Sequence, residues 1–143
     1  MNDQSSIINH QSLCIVTGGA GFIGSHIARK LVNENHQVII IDNLCEGKLE
    51  NIADIKHKIK FYKQDILNLK FLQKIFKGVD FVFHEAALRS VERSVNNPVE
   101  TNKVNTEGTL NVLMAARDNK VKRVIFAGSS SSYGKQKSKV LTE

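Results

Sequence analysis

The sequence predicts an α/β fold built on a doubly wound parallel sheet, and three observations predict it. Short runs rich in β-branched residues alternate with amphipathic stretches, the rhythm of successive βαβ units. One of those runs, Val38-Ile39-Ile40-Ile41, is apolar at every position, which a strand tolerates only when both of its faces are covered. A cluster of glycines, Gly18-Gly19-Ala20-Gly21-Phe22-Ile23-Gly24, stands where the first strand would pass into the first helix.

The elements follow in order. Leu13-Cys14-Ile15-Val16-Thr17 reads as the first strand and residues 37–41 as the second. Between them, Phe22, Ile23, Ile27, Leu31 and Val32 recur at helical spacing and form the expected inward stripe, with Arg29, Lys30 and Glu34 on the wet side. A third strand is expected over residues 59–64. The short helix after it, residues 68–76, turns Leu69, Leu72, Ile75 and Phe76 inward and stops at Gly78. Phe81-Val82-Phe83-His84 is the fourth strand. Asn97-Pro98, a capping residue followed by proline at the first helical position, opens a helix running to about Asn119. The fifth strand spans residues 123–127 and runs into Gly128 and four serines. Right-handed crossovers then give the order 3-2-1-4-5, with ligand expected at the carboxyl ends of strands 1 and 4, where the order reverses.

At 143 residues the chain suffices for one domain with its own core. Its 41% hydrophobic and 24% charged residues and single proline exclude disordered, collagen-like and disulfide-framework classes. The expected layout is a polar tail over residues 1–11, one α/β domain over 12–134 and a polar end over 135–143. The net charge of +6 suits an anionic small-molecule partner. Nucleic acid is not expected: the lysines are scattered, and Lys135, Lys137 and Lys139 have no interleaved aromatics to stack bases. No run reaches the length of a membrane span and the first residues lack the apolar stretch of a secretory signal. Cys14 and Cys45 sit in no metal-binding spacing and read as reduced thiols, so a cytoplasmic, membrane-free protein without a metal site is expected.

Position makes the glycine cluster informative. It satisfies G-x-G-x-x-G through Gly19, Gly21 and Gly24, and G-x-x-G-x-x-G through Gly18, Gly21 and Gly24. Between a strand and a helix, such glycines allow a tight turn, let main chain approach a pyrophosphate, and pack the helix closely on the strand. The helix N-terminus adds free N–H groups and a partial positive charge. Asp42 ends the second strand about 20 residues past the last glycine, the spacing at which a carboxylate takes the adenosine ribose hydroxyls. That carboxylate would repel the extra phosphate of NADP. Asn43 follows where an arginine would favour NADP, so NAD is the expected cofactor and the fold is Rossmann-type.

Six motifs in order, over about residues 13–134, resemble the extended short-chain dehydrogenase/reductases, and within them the UDP-glucose and UDP-N-acetylglucosamine 4-epimerases. They are Thr17 through His26; Ile41-Asp42-Asn43-Leu44; Gln64-Asp65-Ile66; Phe83-His84-Glu85-Ala86-Ala87; Asn105-Thr106-Glu107-Gly108-Thr109; and Ser129-Ser130-Ser131-Ser132-Tyr133-Gly134. The resemblance implies that Gly18, Gly21, Phe22, Ile23 and Gly24 form the pyrophosphate turn. It implies that Asp42 and Asn43 contact the ribose and that Asp65 and Ile66 flank the adenine. A loop carboxylate capping the next helix is the plainer reading of Asp65. Glu85, Ala86 and Ala87 would pass the cofactor with their backbone, and Arg89 would lie near it.

For catalysis the resemblance implies Ser129, with Ser130 the close alternative, bonding the sugar hydroxyl to be oxidised. The serines replace the Thr-Asp-Glu of dehydratase relatives and argue against dehydration. Tyr133 and Lys137 match the family's Tyr-x-x-x-Lys spacing, but Gly134 and the polar run between them do not resemble that helix. The working pair, as the resemblance implies, falls beyond Glu143. The chain is therefore expected to be the NAD-binding N-terminal portion of a nucleotide-sugar epimerase, cut after the fifth strand and without turnover of its own. A dehydratase or decarboxylase fragment, or a nonenzymatic dinucleotide-binding module, is the alternative. A fifth strand left as an edge would favour association or poor solubility. The resemblance further implies a UDP-sugar substrate and a homodimer for the complete family member. His26 and His84 have no partner at ligand spacing and read as structural.

Overall fold

β1 (Leu13–Thr17), β2 (Gln37–Asp42), β3 (Ile59–Lys63), β4 (Phe81–His84) and β5 (Arg123–Phe126) form one sheet in the order β3-β2-β1-β4-β5 in the computed structural model, which describes residues 11–129. All four pairings are parallel, as predicted. α1 (Phe22–Asn33) connects β1 to β2 and α2 (Leu69–Ile75) connects β3 to β4. Between β4 and β5 run α3 (Val91–Asn96), α4 (Pro98–Asn102) and α5 (Thr109–Asp118). A π-helical turn, Lys103–Gly108, joins α4 to α5 with right-handed backbone on both sides, so the long helix expected from Asn97 is one rod with a local widening. The Asn97 side chain caps it as predicted, accepting from the Glu100 N–H at 3.3 Å.

The sheet's two faces bury alternate residues of each strand, because side chains alternate with a period of two. Cys14, Val16, Val38 and Ile40 face one way and are covered by Ala28, Leu31 and Val32 of α1. Ile15, Ile39, Ile41 and Val82 face the other way, against Leu72 and Phe76 and against Val112, Ala115 and Ala116 of α5. Ile40 and Ile41 are both fully buried, each stabilising the fold by about 1.5–3 kcal/mol relative to exposure. Coverage on both sides is thus what the unbroken apolar run of β2 required.

Two expectations need correction. Phe22 and Ile23 do not join the inward stripe of α1: they are 71% and 52% exposed, and the buried residues are Gly24, Ser25, Ala28, Leu31 and Val32. Phe22 and Ile23 line the cleft at the carboxyl ends of the strands instead. Asp65 does not cap α2; Asn68 does, accepting from the Phe71 N–H at 3.2 Å. A 3-10 segment, Leu49–Lys58, was not foreseen and packs Ile52 and Ile55 into the α1 face. β5 is an edge of the described sheet, with Phe126 59% exposed. No helix among the described residues is long and apolar enough to cross a membrane.

Candidate functional site

A cleft of about 960 Å³ opens at the carboxyl ends of the strands, at the place where the strand order reverses. That volume falls at the upper end of the roughly 300–1,000 Å³ of small-molecule and cofactor sites. Gly18, Gly21, Phe22, Ile23, Gly24, Asp42, Asn43, Asp65, Ile66, Glu85, Ala86, Ala87, Arg89 and Ser129 all line it. Ser130, Tyr133 and Lys137 lie outside the described residues.

The floor is the glycine turn. The Gly18 N–H donates to the Ile41 carbonyl at 2.8 Å and the Gly21 N–H to the Gly18 carbonyl at 3.0 Å, closing a tight loop between β1 and α1. Gly18 has φ +67°, and a Cβ placed there would come within 2.7 Å of the Ala86 backbone nitrogen. At Gly24 a Cβ would collide with the Gly18 carbonyl and lie 2.8 Å from the Gly19 Cα. These are the conformational freedom and the close helix approach anticipated from the sequence. No side chain caps α1 at Gly21, so the N–H groups of its first turn, at residues lining the cleft, are left for a ligand.

Asp42 stands beside the turn. Only 7% exposed, it accepts from the Ala20 N–H at 3.0 Å through Oδ2 and from the Leu44 N–H at 2.8 Å through Oδ1. Each carboxylate oxygen has a second lone pair, so Asp42 can also accept from a ligand hydroxyl. Asn43 donates to Asp65 Oδ2 at 2.8 Å, and Asp65 Oδ1 takes the Leu67 N–H at 2.8 Å, which fixes the loop after β3 against that after β2. Gly47 was not singled out from sequence. A Cβ there would sit 2.8 Å from Asp42 Oδ2, so glycine is what lets the loop fold over the carboxylate.

The opposite wall is residues 85–89. Its start is fixed to β1, the Glu85 N–H donating to the Thr17 carbonyl at 3.1 Å; its end is fixed by Asn105, which accepts from the Leu88 N–H at 2.8 Å and donates to the Leu88 carbonyl at 2.9 Å. Burial holds the Glu85 carboxyl above its ordinary value. Arg89 is on the rim, 3.9 Å from Glu46, whose carboxylate also takes Arg93 Nη1 at 2.7 Å. Pairs this exposed are worth about 0–1 kcal/mol and tie the two rims only loosely. Ser129 lies at the cleft end of β5.

His84, read from the sequence as structural, lines the cleft. It is 1% exposed, with Nδ1 2.7 Å from Thr17 Oγ1 and Nε2 2.9 Å from Thr109 Oγ1. Burial pushes its pKa down to about 4. The folded protein therefore holds it neutral while the unfolded chain protonates near 6.5, so the unfolded state binds more protons between those values. Stability from this group is complete above pH 6.5 and declines as pH falls towards 4, by up to about 3 kcal/mol. Glu85, shifted the other way, offsets part of this. Melting temperatures measured from pH 7.5 to 4.5 should fall; a flat profile would refute the assignment.

The two cysteines differ in exposure. Cys14 is fully buried and its thiol is raised to about 12, by burial first and the Asp80 charge second. Cys45 is exposed at the cleft, its thiol held above the ordinary value by partial desolvation and then by Glu46, Asp42 and Asp65. A thiol reagent should label Cys45 alone in the native protein and both cysteines in denaturant. Native modification of both would contradict the burial of Cys14. No cluster able to hold a metal ion occurs among the described residues.

Comparison with known proteins places this architecture. The model of the NAD dependent epimerase/dehydratase family matches residues 14–143. A putative UDP-glucose 4-epimerase of Methanocaldococcus jannaschii is 44% identical over 124 residues, which cover 85% of this chain and 40% of that protein. A UDP-N-acetyl-alpha-D-glucosaminuronate decarboxylase of Bacillus cytotoxicus is 40% identical over 122 residues, covering 85% of this chain and 38% of that one. The crystal structure of a UDP-glucose 4-epimerase from Stenotrophomonas maltophila, with bound NAD and formylated UDP-arabinopyranose, superposes with a TM-score of 0.86 at 31% identity, covering 92% of this chain and 41% of that one. The chain thus spans about two fifths of the length of these relatives.

Proposed function

Because the chain belongs to the NAD-dependent epimerase/dehydratase family, we propose that it supplies the NAD-binding half of a UDP-sugar 4-epimerase. The observation that carries the reading is the bare main chain of the Gly18–Gly21–Gly24 turn, set beside the buried carboxylate of Asp42 in a cleft of cofactor size. The cradle fits a dinucleotide because a Cβ at Gly18 or Gly24 would meet backbone, leaving the uncapped first turn of α1 open to a pyrophosphate.

In this reading Gly18, Gly21, Phe22, Ile23 and Gly24 hold the two phosphates through backbone N–H groups. Asp42 accepts from the adenosine ribose with Asn43 next to it, Asp65 and Ile66 flank the adenine, and residues 85–87 with Arg89 bound the nicotinamide side. NAD supplies the hydride acceptor and donor for chemistry at C4 of the sugar. Ser129, or Ser130 beside it, bonds the sugar hydroxyl. The decarboxylase among the relatives is compatible with the same cofactor half, because hydride removal from a nucleotide sugar can open either route.

Titration calorimetry tests the reading. NAD and NADH should both give heat, and NADP should bind more than about tenfold more weakly, since a phosphate placed near the Asp42 carboxylate costs at least ~1.4 kcal/mol. NAD should also slow labelling of Cys45. Folded protein that gives no heat with either NAD form would overturn the proposal.

A further inference from the structure

The bonds around His84 can be satisfied in only one direction. Thr109 Oγ1 donates its single proton to the Asn105 carbonyl at 2.8 Å, so towards His84 it can only accept, and His84 Nε2 must carry the hydrogen. A neutral imidazole with its proton on Nε2 has a bare Nδ1, so Thr17 Oγ1 donates there at 2.7 Å. That leaves a Thr17 oxygen lone pair for the Ala86 N–H, 3.4 Å away. At the far end Asn105 clamps Leu88 by both its N–H and its carbonyl.

The bonds therefore run from the cleft wall at Ala86 through β1 and β4 to the main-chain carbonyl of Asn105 in the π turn, the residue whose side-chain amide holds Leu88. Ala86 is the residue whose backbone nitrogen and Cα lie against Gly18, at 2.7 and 2.9 Å from where a Cβ would stand. Phe126 stacks on the imidazole with ring centroids 5.7 Å apart. An unbranched chain of single-proton donors allows no alternative wiring while Thr109 bonds Asn105. With the proton on Nδ1 instead, a bare Nε2 would face a Thr109 oxygen whose hydrogen is already given to Asn105, two acceptors with no proton between them.

We propose that His84 is a positioning residue for dinucleotide binding: as the Nε2–H tautomer it sets a one-way chain, Thr17 to His84 to Thr109 to Asn105, that locks the Ala86–Leu88 wall against the glycine turn. The proposal rests on the dinucleotide reading above. It assigns roles to Thr17, Thr109 and Asn105 that none of them would have as ordinary core or helix residues. The consequence is that losing a hydroxyl of this chain should cost cofactor affinity through the wall it no longer holds.

Nitrogen NMR of the full chain reads the tautomer directly. Near neutral pH, Nδ1 of His84 should resonate as an unprotonated ring nitrogen and Nε2 as a protonated one; the opposite assignment, or averaging between the two, would overturn the chain of bonds. Calorimetry with NAD then reads its purpose in Thr17→Val, Thr109→Val and the conservative Thr17→Ser and Thr109→Ser. The valine variants should bind NAD about tenfold more weakly, and the serine variants should recover affinity to within about threefold of wild type. Valine variants that melt lower but bind NAD as wild type does would leave the network purely structural and sink the positioning role. Should the valine variants fail to fold, the serine variants and the tautomer decide: serine affinity more than tenfold below wild type, or the wrong tautomer, overturns it. Wild-type protein that binds no NAD sinks the dinucleotide reading itself, whichever tautomer is found, and the positioning role with it.

Discussion

Gly18→Ala is expected to destabilise the protein by about 3 kcal/mol and to remove measurable NAD binding. Two costs combine. At φ +67° an L-residue is strained by about 1 kcal/mol or somewhat more. The new methyl would also stand 2.7 Å from the Ala86 nitrogen and 2.9 Å from its Cα and from the Glu85 carbonyl carbon, all of them main chain, so nothing can rotate aside. Overpacking against fixed atoms costs about 1–3 kcal/mol, and the only relief is to part the ends of β1 and β4, which moves the cleft wall.

Gly78→Ala supplies the control. Gly78 also has a positive φ, +75°, but a Cβ there meets nothing within 4 Å, and the residue lies after α2, away from the cleft. It should show the strain alone, about 1–2 kcal/mol, with NAD affinity unchanged. Urea denaturation and calorimetry on the pair separate the two costs. Equal destabilisation would mean that the approach of Gly18 to Ala86 is not tight.

What could be read from the sequence was what local chemistry determines. The β-branched runs of β1 and β2 announced those strands because each is buried on both faces, and the glycine cluster announced the turn because it sits between strand and helix. Asp42 followed from its distance to the glycines. The errors have physical causes as well. Helical periodicity placed Phe22 and Ile23 in the core because it counts apolar residues without seeing that these two side chains border a cleft. Ile52 and Ile55 are three apart, a spacing that suits a 3-10 segment and falls short of a helical stripe. α3 is a six-residue helix capped by Ser90 at φ 123°, a conformation no serine announces in advance. His84 was legible as structural but not as a link, since its partners are 67 and 25 residues away and only the folded sheet brings them together.

Asp42→Ala should weaken NAD binding by about 10–100-fold, the 1.5–3 kcal/mol of hydrogen bonds to a charged group. It should also cost about 1–3 kcal/mol of stability, because the Ala20 N–H, on a fully buried residue, loses its acceptor. A stability loss could by itself lower every affinity, so the decisive quantity is the ratio of NAD to NADP binding. On the proposed reading a preference for NAD comes from the Asp42 charge beside the ribose, so a folded variant without that charge should bind the two cofactors nearly alike. Asp42→Asn keeps an acceptor for one of the two backbone N–H groups, so it should recover part of the stability while still losing the discrimination. If Asp42→Ala binds both cofactors more weakly but keeps the original ratio, then the carboxylate serves only to shape the loop and the ribose lies elsewhere.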